Sequence, residues 1–332
     1  MKYRRLGKTG FSISEVSLGT WQVGGKWGSG FDDKNAEEIL NEAVDRGINF
    51  IDTADVYEGG KSEAAVGRVV RSRSERVYVA TKCGRRISPH VNEGYTPERL
   101  RAFVEESLGN TGLDTLDLIQ LHCPPTEVYY RPEIFEEFDR LKDEGKIRNL
   151  GVSVEKVEEG LKAIEYPNVA TVQIIFNMFR RRPGDLFFQR AASKDVGIIT
   201  RVPLASGLLT GKFDKRASFA EGDHRNFNRD GSAFDVGETF AGIDFTVGVD
   251  LVEEVKEILG ADEKSSPNLA QYALRWILDH PQVSTVIPGA SRLEQLESNL
   301  AAEEIKPIPQ ESLEKLEKLY NEKVRPLVHH RW

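Results

Sequence analysis

The chain has 332 residues, 30% of them charged, and a formal net charge of −8 at pH 7. Acidic and basic residues are mixed and no basic stretch is interleaved with aromatic residues, so we expect no nucleic-acid partner. No apolar run is long enough for a membrane span, the N-terminus lacks the apolar segment of a secretory signal, and two cysteines cannot form a disulfide framework, so we expect a cytoplasmic protein without a membrane partner.

Short apolar or β-branched runs alternate with amphipathic stretches along the chain. Ahead of them, MKYRRLGKTGFSIS (1–14) predicts a β-hairpin with its turn at residues 8–10, placed to plug one end of a barrel. The apolar runs predict eight strands, at 16–21, 50–54, 77–83, 116–123, 147–153, 170–177, 197–203 and 283–289. Most of these runs are apolar almost throughout, as expected of strands that are covered on both faces.

Helical spacing fills the intervals between the runs. The first helix has an apolar stripe ended by Gly47, and its members are Ala36, Ile39, Leu40, Ala43 and Val44. Thr96 and Pro97 predict the cap and first position of another helix, and we expect Ser266 and Pro267 to repeat that arrangement. Further helices are expected near 249–259 and 310–325. The polar stretch 205–245 is typical of a lid or a disordered loop.

Strand–helix alternation favours a parallel sheet, and eight repeats favour a closed (β/α)₈ TIM barrel. The sequence therefore predicts an α/β fold, a single barrel domain over residues 1–332 with an N-terminal β-hairpin and extra C-terminal helices. The alternative is an open doubly wound sheet, which usually has a G-x-G-x-x-G turn after its first strand. The stretch GTWQVGGKWGSG (19–30) contains no such pattern.

Four ionisable residues follow three consecutive predicted strands. Asp52, Lys82 and His122 end these strands, and Tyr57 lies just beyond the first. Taken singly, each is more often a helix cap, a solvated side chain or a packed histidine than a catalytic group. Because parallel strands of a barrel end at one mouth, however, we expect the four to converge.

Together these four residues suit a proton donor for a carbonyl oxygen. A lysine ammonium stabilises a phenolate, so Lys82 is expected to lower the pKa of Tyr57. Asp52 would hold Lys82 by an ion pair, and His122 would add a second donor. The group has neither a nucleophilic serine nor the His/Cys/Asp spacing of a metal site, so no metal is expected.

Reduction also requires a hydride, which a cofactor would supply. The phosphate site of a barrel commonly lies after strands seven and eight, here PLASGLLTGK (203–212) and IPGASRLEQLESN (287–299). The second stretch has several groups that could bind a cofactor. Gly289 would allow a close backbone approach, Ser291 has a hydroxyl and Arg292 a guanidinium. Gln295 and Asn299, four residues apart, would present two amides on one helix face. An ordinary helix cap with a surface arginine is the alternative interpretation.

A set of motifs in fixed order resembles the aldo-keto reductases, and in particular their bacterial, potassium-channel-β-like members. The matching segments are FIDTADVYEGGKSE, VATKCG, DLIQLHCP, LGVS, VQIIFN, PLASGLLTGKF and IPGASRLEQLESN. The resemblance implies a (β/α)₈ barrel that reduces small aldehydes and ketones with NADPH. It also implies that Tyr57 is the general acid, that Lys82 and Asp52 tune it, and that His122 orients the carbonyl.

The same resemblance implies a cofactor site along the mouth. Ser153 and Gln173 match positions that hold the nicotinamide amide. The pyrophosphate would be clasped by Leu204, Ser206 and Lys212, and the adenosine phosphate end by Ser291, Arg292, Gln295 and Asn299. The chain departs from the family at Val154, where members commonly have asparagine, and at Arg201, where many have an aromatic residue. Since a guanidinium is planar, we predict that Arg201 stacks on the nicotinamide.

The substrate pocket is expected to be apolar and aromatic. Its candidate lining residues are Trp21, Trp27, Tyr95, the 205–245 stretch and the tail ending in Trp332. We expect Cys83 and Cys123 to be buried rather than redox-active, and the protein to be a monomer, as family members often are. Two alternatives stay open, an NADPH-bound regulatory protein with weak turnover and a Schiff-base enzyme that uses Lys82 as its nucleophile.

Overall fold

A closed barrel of eight parallel strands forms the centre of the molecule. The computed structural model describes residues 1–25, 30–261 and 265–332. The strands neighbour one another in chain order, and they are β3 (Leu18–Gly19), β4 (Phe50–Asp52), β5 (Tyr78–Cys83), β6 (Leu116–His122), β7 (Ile147–Ser153), β8 (Val169–Ile175), β9 (Gly197–Arg201) and β10 (Val283–Val286). Bridges from Val16 to Val286 and from Gly19 to Gly289 join the first strand to the last. The predicted (β/α)₈ barrel is confirmed.

Helices surround the barrel. They are α1 (Asp33–Asp45), α2 (Lys61–Ser72), α3 (Pro97–Thr111), α4 (Pro132–Asp143), α5 (Val157–Ala163), α6 (Phe187–Ser193), α7 (His224–Phe227), α8 (Phe245–Leu259), α9 (Leu269–Leu278), α10 (Leu293–Leu300), α11 (Gln310–Leu319) and α12 (Arg325–Val328). The predicted stripe of α1 is buried in full, and Gly47 has the left-handed φ of 92° that ends a helix. Within the described residues, no helix has the length and apolar content to span a bilayer.

The N-terminal hairpin closes one end of the barrel, as predicted. Its strands β1 (Tyr3–Arg5) and β2 (Ser12–Ser14) pair antiparallel. Leu6 and Ile13 are buried in one apolar cluster with barrel residues that include Phe50 and Leu118. Because this plug covers the amino-terminal ends of the strands, the opposite end is the one open to ligands.

Two sequence-based expectations need correction. Helix α9 is capped by Asn268, which forms a capping box with Gln271, whereas Ser266 and Pro267 lie before the cap. The asparagine side chain satisfies the Gln271 amide and receives the reciprocal bond, so it defines the helix start. The 205–245 stretch is not the disordered loop that was one of its two expected forms, because it contains α7 and packs an aromatic cluster around Phe219 and Phe240. Its role as a lid stays a prediction.

Candidate active site

The four candidate catalytic side chains lie together at the open mouth. Lys82 Nζ is 2.5 Å from Asp52 Oδ1 and donates to the Tyr57 hydroxyl at 3.2 Å and to the Thr53 carbonyl at 2.9 Å. The imidazole of His122 meets the Tyr57 ring edge-on, with ring centroids 6.1 Å apart. The Tyr57 phenol therefore contacts both the Lys82 ammonium and the His122 imidazole.

Two glutamines hold the Asp52 carboxylate in place. Gln120 and Gln173 each donate to Asp52 Oδ2, at 3.0 and 2.8 Å, and Gln173 also donates to Gln120 Oε1 at 3.1 Å. The register of β5 and β6 sets Lys82 beside Gln120. Sequence analysis missed Gln120. The available signal was its spacing from His122, since residues two apart on a strand point to the same face.

Burial and charge fix the protonation of these groups. Burial lowers the pKa of Lys82, but Asp52 and Tyr57 outweigh it and raise the net value above the ordinary one. Burial, with a contribution from Lys82, holds the pKa of His122 well below its usual range, so the imidazole is neutral. A lysine that stays charged is a poor Schiff-base nucleophile, which argues against that alternative.

Tyr57 departs from the sequence-based expectation. Its neighbour Lys82 does lower its pKa, but burial raises it by more, and the net pKa lies above the ordinary value. The predicted lowering of the Tyr57 pKa is therefore wrong in its net direction, because burial destabilises the phenolate by more than the Lys82 charge stabilises it. The phenol consequently carries its proton at neutral pH, as a proton donor must.

A cavity of about 860 Å³ extends from these residues across the mouth. Tyr57, His122 and Asp52 line one part of it, and the remaining predicted cofactor positions that line it are Gln173, Arg201, Leu204, Ser206, Lys212, Gly289, Ser291, Arg292, Gln295 and Asn299. Lys212 and Arg292 are exposed cations at its edge. A cleft with two cations at its edge is suited to a ligand that carries phosphate groups.

Several predicted cofactor residues also hold the cleft in shape. Gln295 Oε1 accepts bonds from the Ser291 amide and hydroxyl, at 2.8 and 3.0 Å, and Asn299 Nδ2 donates to the Gly289 carbonyl at 3.2 Å. Ser153 does not line this cavity. Its hydroxyl is buried 3.5 Å from the Cys123 thiol.

Arg201 is enclosed by carboxylates. It lies 3.1 Å from Glu155, which follows β7, and 3.4 Å from Glu238, which belongs to the 205–245 stretch. The same guanidinium donates to the Val154 carbonyl at 3.2 Å and to the Cys123 sulfur at 3.4 Å. Glu155, Glu238 and Cys123 have the chemistry of metal ligands, but the guanidinium already supplies their positive charge.

The aromatic lining agrees only in part with the prediction. Trp21 lines the cavity and packs near Tyr57, at a centroid distance of 6.1 Å, and near Phe234 at 6.3 Å. Trp27 lies outside the described residues. Tyr95 and Trp332 are fully buried away from the lining, and Trp332 stacks on the Arg180 guanidinium 3.9 Å from the ring centre. Their assignment to the pocket was wrong, because both rings are enclosed by packing and neither lines the cavity.

Both cysteines are buried, as expected. Burial raises the pKa of Cys83 and of Cys123 above the ordinary thiol value. A protonated, buried thiol is a weak nucleophile, so neither side chain has the character of a redox sensor.

The barrel places Tyr57, Lys82, Asp52 and His122 together beside a large cavity on one rim. The sequence model of the Aldo/keto reductase family matches residues 15–321, and the chain belongs to that family. It is 28% identical to a protein named probable voltage-gated potassium channel subunit beta from Arabidopsis thaliana, with 93% of each chain covered.

Enzymes are also among its relatives. The NADH-specific methylglyoxal reductase of Escherichia coli (strain K12) is 28% identical, with 91% of this chain and 93% of that one covered. The solved structure of the glycerol dehydrogenase AKR11B4 from Gluconobacter oxydans superimposes with a TM-score of 0.78 and 29% identity, covering 97% of this chain and 96% of that one. The predicted family, including its bacterial and channel-β-like relatives, is thereby confirmed.

Proposed function

We propose that the protein reduces small aldehydes and ketones to alcohols with NADPH, and that Tyr57 is the general acid. One observation carries the proposal, the contact of Lys82 Nζ with both Asp52 and the Tyr57 hydroxyl at the wall of the cofactor-sized cleft. A phenol with an ammonium neighbour can donate a proton and leave a stabilised phenolate.

NADPH, when bound, supplies the hydride. The protein's own residues supply the proton and place the substrate. The Tyr57 hydroxyl donates its proton to the carbonyl oxygen as negative charge grows there, and the Lys82 ammonium stabilises the phenolate that remains. Neutral His122 offers a hydrogen bond without adding charge, which orients the carbonyl toward Tyr57. Asp52 keeps Lys82 protonated through their ion pair.

The proposed cofactor contacts follow the cleft. Arg292 would bind the adenosine phosphate as a bidentate donor, and Lys212 the pyrophosphate. Leu204, Ser206 and Gly289 would shape the backbone around it, and Gln173 would face the nicotinamide. The complete set of Asp52, Tyr57, Lys82 and His122 favours turnover over a purely regulatory role.

The substitution Tyr57→Phe tests the proposal. Removing the hydroxyl should lower kcat for an aromatic aldehyde by ~10²-fold or more, the size typical of general acid catalysis. NADPH binding, measured by fluorescence titration, should stay within about threefold, because the phenol does not hold the phosphates. Absorbance at the nicotinamide band follows turnover, with both NADPH and NADH assayed.

Tyr78→Phe is the matched control. Tyr78 lies on β5 at the plugged end of the barrel, where its ring stacks on Phe11. The same loss of a hydroxyl there should leave turnover unchanged. Full turnover in Tyr57→Phe would show that another group donates the proton.

A further inference from the structure

Arg85 is a guanidinium at the mouth that the proposed reaction does not use. It follows β5 by two residues and lines the same cavity as Tyr57 and His122. Its guanidinium lies over the Phe234 ring, 5.7 Å from the centre. Among residues 1–25, 30–261 and 265–332, no acceptor is within hydrogen-bond distance of it, and Glu155 Oε1 is 4.0 Å away. Its donors are therefore available to a ligand in the cavity.

The nearby carboxylates contact other guanidinium groups more closely than they contact Arg85. Glu155 and Glu238 both pair with Arg201, at 3.1 and 3.4 Å. Asp235 lies 3.8 Å from a different guanidinium, that of Arg180. Glu155 balances the positive charge of Arg201. When Glu238 is protonated, the positive charge of Arg85 therefore has no carboxylate to balance it.

The surroundings of Glu238 favour its protonated form at neutral pH. Burial, opposed by Arg201 and reinforced by Glu155, raises its pKa to about 8. Lys82 is balanced by Asp52, and His122 is neutral. The wall of the cavity beside the proton donor therefore carries one excess positive charge, located on an arginine with unused donors.

We propose, on the basis of the reductase function above, that Arg85 binds a carboxylate of the substrate, so that the preferred substrates are aldehydes or ketones that also carry a carboxylate. A guanidinium fork matches a carboxylate in two parallel hydrogen bonds. One excess charge balances a carboxylate monoanion, whereas a phosphate dianion would leave a negative charge uncompensated in a partly desolvated cavity. Arg85 is thus a specificity residue of the proposed reduction.

The test compares acids with their neutral esters. Two pairs cover two spacings, 4-formylbenzoate with its methyl ester and 4-oxobutanoate with its methyl ester. In the wild type, kcat/KM with NADPH should favour the acid in at least one pair by roughly tenfold or more, as expected of a charge-assisted hydrogen bond. In Arg85→Met that ratio should fall toward one, and Arg85→Lys should restore part of it because the charge returns without the fork.

Arg86→Met is the matched control. Arg86 is the adjacent residue, but it pairs with Glu106 on α3 at 2.5 Å and does not line the cavity. This variant should keep the wild-type acid-to-ester ratio. An independent readout is calorimetric binding of benzoate to the NADPH complex, which Arg85→Met should weaken and Arg86→Met should not.

The outcomes separate this inference from the proposed function. If the wild type reduces the esters as well as the acids and Arg85→Met leaves both ratios unchanged, the carboxylate site is wrong while the reductase function stands. If only glyceraldehyde 3-phosphate, compared with glyceraldehyde, depends on Arg85, the site binds phosphate and the proposal is overturned. If no carbonyl compound is reduced with either cofactor, the proposed function itself fails, and with it this inference.

Discussion

Glu238 lies 3.4 Å from Arg201, so a residue of the 205–245 stretch contacts the buried guanidinium at the end of barrel strand β9. A second contact reinforces the link, because Ser206 Oγ donates to the Glu238 carbonyl at 2.6 Å. These contacts link the stretch to the barrel at the mouth that Tyr57 also lines. Both the geometry of the mouth and its charge depend on this pair.

Arg201→Tyr should change both stability and cofactor binding. The substitution leaves the Glu155 carboxylate buried without its cation, which we expect to cost ~3 kcal/mol or more of unfolding free energy. We also expect altered NADPH affinity or turnover, since we predict that the guanidinium stacks on the nicotinamide. Thermal unfolding and fluorescence titration measure the two effects.

A double variant separates these effects. Adding Glu238→Gln to Arg201→Tyr removes a buried group that can ionise beside Glu155, and it should recover part of the lost stability. If the double variant regains stability but NADPH affinity and turnover match the wild type in both variants, the stacking prediction is wrong.

Glu238→Gln should remove a pH dependence of stability. The folded-state pKa is about 8, whereas an unfolded glutamate titrates near 4.3. The folded state therefore holds a proton that the unfolded state has lost, and stability declines as the pH rises through that window. Relative to the variant, the wild type should lose up to about 1.4 kcal/mol per pH unit between pH 5 and 8.

Denaturant unfolding of the two proteins at matched pH values checks this difference. Asp55 has a pKa raised to about 7 by burial, so the wild type alone would not isolate Glu238. Parallel curves for wild type and variant across pH 5–8 would mean that Glu238 ionises normally.

Asp52→Asn should shift the pH profile of reduction. Burial alone lowers the pKa of Lys82, and Asp52 is the main group that raises it. Without that carboxylate the lysine should lose its proton at lower pH, and the developing phenolate should lose its stabilising charge. We expect kcat/KM to be ~10-fold or more below the wild type at pH 9, with a smaller deficit at pH 6.

Asp45→Asn is the control for this experiment. Asp45 is an exposed residue of α1 that pairs with Arg73. Its profile should match that of the wild type. Superimposable profiles for Asp52→Asn as well would remove Asp52 from the proton-transfer group.

Arg292→Ala should discriminate between the two nicotinamide cofactors. If the guanidinium binds the adenosine phosphate, its loss should weaken NADPH about 10- to 100-fold, as for a lost charged hydrogen bond, and should change NADH binding little. Lys212→Ala is the contrasting variant, because a pyrophosphate contact is common to both cofactors and their affinities should fall together. An equal loss of NADPH and NADH in Arg292→Ala would exclude the phosphate contact.

The barrel could be predicted from the sequence because the local signals for its strands and helices agreed with one another. Each buried strand appears in the sequence as an apolar run. The apolar stripe of α1 and the Thr96 cap are likewise patterns contained within a single helix. The convergence of Asp52, Lys82 and His122 also followed, since parallel strands of a barrel end on one rim.

Tertiary packing decided the outcome where more than one residue suited the same role. Ser266 and Pro267 offered a plausible helix start, but Asn268 forms the capping box. Tyr95 and Trp332 are aromatic like Trp21, yet of these three residues only Trp21 lines the cavity. Which ring faces a cavity depends on packing between elements, and no spacing rule contains that information.

By itself, then, the sequence determined the element order, the barrel and the identity of the groups at its mouth, because periodicity and strand polarity are local properties of the chain. Only the tertiary structure decided their charges. Burial reversed the expected pKa shift of Tyr57. Glu155 and Glu238, which are far apart in the chain, enclose Arg201 and leave Arg85 with its nearest carboxylate oxygen 4.0 Å away. Desolvation and long-range pairing arise when segments meet, so they are fixed by the fold.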